Sequence, residues 1–185
     1  MAPAQEHTFD EEPLPQAVVF DCDFVINVLH ENEDFHEECA RFAGRLLEGG
    51  VGVVYSNLLR VDFWQGWRRA VNLRGLPAEI GGEPVRIRDA ARQREEWYQL
   101  GDEYLKLFLG LYDRYEVRVG PRLVDRAVKL MGRYNLGSHD ACLAAIAFHT
   151  DVLDIVSLDK DFQRVDGIHL WNNDIPGRRR AGRRR

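Results

Sequence analysis

The chain has 185 residues, 45% hydrophobic and 10% aromatic, enough for one domain with a substantial core. Its longest apolar run, Ala141–Phe148, falls far short of the roughly 20 residues that a membrane-spanning helix needs. The net charge of −5 excludes recognition of nucleic acid through a general positive field, so any such contact must come from local patches or from the arginine-rich end.

The two ends differ in character. "MAPAQEHTFDEEPLPQ" lacks the basic start and apolar stretch of a secretory signal and reads as an acidic, proline-containing extension over residues 1–15. The predicted domain body covers residues 16–175. Residues 176–185 form a tail ending in "RRRAGRRR". Cys22, Cys39 and Cys142 are odd in number and form no C-x-x-C pair, which predicts reduced thiols and a cytoplasmic protein.

In chain order, Ala17–Phe20 reads as a first strand, followed by a helix from about Phe24 to His30 and another from Phe35 to Glu48 that stops at Gly49-Gly50. Val51–Tyr55 is the second strand, and Ser56 is placed to cap a helix running to about Leu73, before Gly75 and Pro77. Between Asp89 and Tyr115, the spacing of Trp97, Leu100, Tyr104, Leu107, Phe108 and Leu111 predicts one amphipathic helix whose stripe faces the core, with a dimer or partner surface as the alternative. Pro121 opens a helix through Met131, and Ser138 is placed to cap "HDACLAAIAFH". Val152–Ser157 and Ile168–Trp171 complete four short, nearly continuous apolar strands. The alternation predicts an α/β fold with a mainly parallel sheet.

In such a sheet, strand C-termini and helix N-termini share the edge where ligands bind. Asp21 directly follows the first strand, and Asp159 follows "DIVS" after one residue. Asp140 belongs to the first turn of the helix after Ser138. Asp62 is predicted in the second turn of its helix, on the apolar face shared with Leu59, Phe63, Gly66 and Ala70. Singly, several of the acids have an ordinary explanation: a charge at a helix N-terminus for Asp140, a cap for Asp23, turn residues for Asp159 and Asp161; Asp62, an isolated charge on an apolar helix face, needs a reason. Jointly they do not, because two carboxylates about 4 Å apart repel by roughly 4 kcal/mol at an effective dielectric of 20. A divalent cation removes that conflict, and an all-oxygen donor set favours Mg²⁺ or Mn²⁺ over zinc. His36, His139, His149 and His169 show no ligand spacing, and no metal is assigned to them.

The pieces "VVFDCDFVINVL", "VVYSNLLRVDFWQGW", "YNLGSHDACLAAIAF" and "DIVSLDKDF" followed by "GIHLW" resemble, in order and spacing, a PIN-domain ribonuclease of the VapC toxin kind. The resemblance spans about Ala17 to Asn172. It implies a three-layer α/β/α PIN-like fold with four to five strands. It implies further that Asp21, Asp62, Asp140 and Asp159 hold one or two Mg²⁺ ions for hydrolysis of RNA phosphodiesters, with Asp23 and Asp161 as acidic positions beside them and Ser157 as a small hydroxyl residue. The second acid of the family is usually glutamate, so Asp62 is one methylene short. A small protein antitoxin inserting a segment into the acidic groove would be the partner, and homodimers are common in that family.

Two other readings compete. "VVFDCDFVI" also resembles the first motif of haloacid-dehalogenase-type phosphatases, with Asp21 as nucleophile and Ser56, Lys129 and Asp159/Asp161 as later motifs, but that family gives no role to Asp62 or Asp140. A PIN-like scaffold that binds RNA or protein without cutting is the other. For RNA contacts, Arg178, Arg179 and Arg180 offer phosphate forks. Arg60, Trp64, Trp67 and Arg68 are expected as an outer stripe on the helix that follows the second strand, open either to RNA or to a subunit interface.

Overall fold

The computed structural model describes residues 2–75 and 90–173. Its centre is built on a period of two. Val18 and Phe20 point into one hydrophobic core and Val19 into another, and the pairs Val53/Val54, Val156/Ile155 and Trp171/Leu170 divide in the same way. Strands that bury both faces need apolar residues at nearly every position, which is why these segments were legible as uninterrupted apolar runs.

The elements are β1 (Gln5–Thr8), β2 (Ala17–Phe20), α1 (Cys22–Leu29), α2 (His36–Glu48), β3 (Gly52–Ser56), α3 (Leu59–Arg74), α4 (Ala90–Gly110), β4 (Arg114–Val117), α5 (Pro121–Tyr134), α6 (Ser138–Thr150), β5 (Asp154–Val156) and β6 (His169–Asn172). The strands form one sheet in the order β1-β6-β5-β2-β3-β4, with every pairing parallel. Helices α1 to α4 cover one face, with Phe24, Phe42, Phe63, Trp67 and Phe108 in its core; α5 and α6 cover the other. Burying each large side chain of this kind contributes about 1.5–3 kcal/mol. Helix α6 is apolar on nearly all sides, and Ala141 and Leu143–Ala147 are all buried, as expected of a helix enclosed by its own fold.

The sheet has six strands where four to five were expected. The two extra strands are the edges. Residues 5–8, inside the segment expected to be an extension, pair with β6, and Phe9 follows them into the core, where its ring stacks 4.3 Å from Phe42. Residues 114 and 115, the first two of β4, were expected as the end of a long helix. That helix stops at Gly110, and the chain turns into β4 beside β3. Helices α3 and α6 start without the expected serine caps: Leu58 and Gly137 take the cap positions, with no side-chain hydrogen bond. The Ser56 hydroxyl instead accepts the Leu58 N–H at 2.9 Å, a local turn. Asp62 therefore lies in the first turn of α3.

Two glycines set helix distances. A Cβ on Gly66 of α3 would come within 1.9 Å of Ile26 Cδ1 on α1, and one on Gly101 of α4 within 2.8 Å of the Trp67 indole nitrogen. Trp67 was expected on an outer stripe, but it is 1% exposed. Gly101 opens the space its ring fills.

Candidate active site

Asp21, Asp140, Asp159 and Asp161 meet at the C-terminal edge of the sheet. Asp21 is only 4% exposed, and it leaves β2 as the cap of α1: Oδ1 accepts the Cys22 N–H at 2.6 Å. Its Oδ2 accepts the hydroxyl of Ser157 at 2.6 Å. Ser157 follows β5 and is itself fully buried; its Oγ accepts the Asp159 N–H at 2.9 Å. Asp159 in turn caps a 3₁₀ turn at Lys160–Arg164 by accepting the Asp161 N–H at 3.0 Å. One serine thus ties the β2 carboxylate to the loop that carries two more.

Asp140, in the first turn of α6, completes the group. Carboxylate oxygens of Asp140, Asp159 and Asp161 lie within 4.8 Å of one another. Gly137 makes room, since a Cβ there would stand 3.0 Å from Asp140 Oδ2. Burial, followed by the charges of Asp21 and Asp159, raises the Asp140 carboxyl from its usual 3.8 to about 6. Burial also raises Asp21. Asp23 sits behind Asp21, where its Oδ1 accepts the Leu158 N–H at 3.3 Å; burial and then the Asp21 charge push it well above the usual carboxylate range. These are costs that packing does not demand. A cluster of hard oxygen donors in mutual repulsion fits a divalent ion of the Mg²⁺ or Mn²⁺ type.

A family model described as the PIN domain matches residues 18–168. The chain belongs to the PIN domain family. Among solved structures it is similar to the VapBC2 complex of Rickettsia felis bound to a DNA fragment from their promoter, with a TM-score of 0.55 and 11% identity over 85% of this chain and 99% of that one. It is similar also to VapC20 of Mycobacterium tuberculosis, described as a toxin that cleaves the sarcin–ricin loop, with a TM-score of 0.53 and 15% identity over 78% of this chain and 92% of that one. Comparison with curated proteins gives no match. Membership displaces the phosphatase reading, and Lys129, which that reading needs at a site, is exposed in the middle of α5.

In this PIN domain, Asp62 reaches the site only through a residue that sequence spacing did not single out. His139, next to Asp140, places Nε2 2.8 Å from Asp62 Oδ2 and Nδ1 3.8 Å from Asp21 Oδ1. Neither His139 Nε2 nor Asp62 Oδ2 has a hydrogen-bond partner outside this contact among the described residues. Burial pulls the imidazole down, but the bond to Asp62 and the charges of Asp21 and Asp62 outweigh it, so the ring is raised above its usual value. No spacing rule could have found this contact, which needs three distant segments in register.

The expected RNA-contacting residues separate. Arg60 donates from Nε and Nη2 to the two oxygens of Asp102 on α4, both at 2.6 Å, and Lys106 joins them at 2.7 Å, so the guanidinium is held in a helix-to-helix contact. The Trp64 ring meets Tyr98 edge-on at 4.8 Å. Arg68 lines a cleft of about 860 Å³ between α3 and α4, together with Asp62, Arg69, Trp97 and Tyr98. Arg178, Arg179 and Arg180 lie outside the described residues. Within those residues, no helix is long and apolar enough to cross a membrane.

Proposed function

We propose that the chain is a divalent-metal-dependent ribonuclease of the VapC kind, hydrolysing RNA phosphodiester bonds at the Asp21/Asp140/Asp159/Asp161 edge. The observation that carries this reading is the convergence of Asp140, Asp159 and Asp161, with the charge of Asp21 helping to raise the Asp140 carboxyl to about 6. Asp21, Asp140, Asp159 and Asp161 would hold Mg²⁺ or Mn²⁺, with Asp62 on the far side of His139 and Asp23 behind Asp21. When bound, the ion supplies charge to neutralise the scissile phosphate and makes a water more acidic.

The chain's own residues do the positioning. Ser157 orients Asp21 and steadies the Asp159 backbone with one hydroxyl. Asp159 holds the turn that presents Asp161. Asp140 must be ionised to serve, which sets a lower limit on the working pH. No serine, cysteine or histidine is required as a nucleophile. The cleft carrying Arg68, Trp97 and Tyr98 opens beside Asp62 and suits a strand of RNA flanking the scissile phosphate through charge and stacking. A small antitoxin that places a segment in the acidic groove is the regulatory partner this reading calls for.

The test is incubation of the purified chain with structured RNA in Mn²⁺ or Mg²⁺. Cleavage that is lost on chelation and in Asp21→Asn supports the reading. RNA left intact under Mn²⁺ leaves the chain a binding scaffold, and hydrolysis of a small aryl phosphate instead of RNA would point to phosphatase chemistry.

A further inference from the structure

The acidic edge is divided in two. On one side, Asp140, Asp159 and Asp161 share a space within 4.8 Å, fixed by the Ser157 network. On the other, Asp62 faces the imidazole of His139 at 2.8 Å. The first turn of α6 makes the division. His139 and Asp140 are consecutive, so their side chains leave the helix about 100° apart: His139 meets Asp62, and Asp140 meets Asp159 and Asp161. Asp21 serves both sides: Oδ2 is committed to Ser157, and Oδ1 lies 3.8 Å from His139 Nδ1.

We infer that the His139 ring occupies the place between Asp21 and Asp62 where a second cation would have to sit, so that this chain takes one divalent ion and not two. The inference rests on the nuclease reading above. A small divalent ion bridging Asp21 and Asp62 needs oxygens about 2.0–2.1 Å away on both sides. That volume holds a ring nitrogen already in contact with Asp62. The short side chain of Asp62 fits this arrangement: an acid one methylene longer at position 62 would run into the imidazole, while aspartate stops at bonding distance. His139 is thus a positioning residue. It takes up Asp62, spares Asp21 the repulsion of a second free carboxylate, and leaves the cation to Asp21, Asp140, Asp159 and Asp161.

The probe is Mn²⁺ alone, titrated into the full chain by calorimetry, with bound ion counted independently by electron paramagnetic resonance. The wild-type chain is expected to take one ion. Asp62→Asn, which removes no ligand of that ion, is expected to keep the count at one, with affinity changed by less than about tenfold, the size of an outer partner's effect. His139→Ala is expected to raise the count to two by freeing Asp21 and Asp62 to share a second ion. Two ions in the wild type, loss of the single ion in Asp62→Asn, or a count that stays at one in His139→Ala would each overturn the inference while leaving the nuclease reading in place. No ion bound to the wild type would remove the nuclease reading and the inference with it.

Discussion

Asp102 and Asp140 are the same residue type in one molecule, and their surroundings push them in opposite directions. Burial works against the ionised Asp102, but Arg60 at 2.6 Å and Lys106 at 2.7 Å outweigh it and lower its carboxyl below the ordinary value. Asp140 is half-buried among Asp21, Asp159 and Asp161, and its carboxyl rises to about 6. The α3–α4 contact brings its own cations to its acid. At the sheet edge, Arg164 meets Asp161 at 2.9 Å and His139 meets Asp62, yet Asp140 still rises among its neighbouring carboxylates, a state that a cation from outside would relieve.

This contrast can be broken by exchanging charge for amide at each place. The largest effect is on catalysis: Asp140→Asn should lower RNA cleavage at saturating Mn²⁺ by about 10²-fold or more, since it removes a charge placed for the reaction, whereas Asp102→Asn should leave the rate per folded molecule close to wild type. Next in size, Asp102→Asn should destabilise the fold by about 1 kcal/mol in a denaturant titration, as it leaves Arg60 and Lys106 without their shared acid. Asp140→Asn should act in the opposite sense on the metal-free protein and raise its melting temperature slightly, because it removes like-charge repulsion. Equal losses of stability in the two variants would erase the distinction.

The smallest effect sharpens the contrast through pH. A carboxyl raised in the folded state contributes stability that is complete below the usual 3.8 and is lost as pH rises through about 6. The metal-free chain should therefore lose this contribution between those values, and Mn²⁺ should restore stability above pH 6, where Asp140 is ionised and able to bind it. In Asp140→Asn that part of the pH dependence should disappear. Asp102, lowered in the fold, contributes in the other direction: its stabilisation is present above the ordinary carboxylate value and fades on acidification. Melting curves from pH 2 to 8, with and without Mn²⁺, check both signs.

The central strands could be read from residues such as Val18, Val19, Ile155 and Val156 because burial on both faces leaves an uninterrupted apolar signature. Edge strands carry no such signature. β1 is "QEHT" and β4 "RYEV", largely half-buried or exposed, and each is stabilised by backbone pairing on one side alone. The apolar stripe of α4 also ran on through Leu111 toward β4, which hid the turn after Gly110. At the site, the four acids could be placed on one edge from topology, since position after a strand or at a helix start is a property of chain order. What spacing could not show is which carboxylates touch. Asp161 joins Asp140 and Asp159 through a turn closed by Asp159, and Asp62 stops at His139, a contact that depends on the rotation of α6. Trp67 escaped for a related reason: its place depends on Gly101, 34 positions further along the chain.

The close approach of Gly66 to Ile26 has a consequence beyond packing. Ile26 belongs to the helix that Asp21 begins, and Gly66 sits one turn beyond Asp62, so this single missing side chain lets the helices that carry these two acids pack closely. Enlargement at position 66, through alanine and serine to valine, would press first on the Ile26 side chain and then on the packing of α3 against α1, beside the segments that carry Asp62 and Asp21.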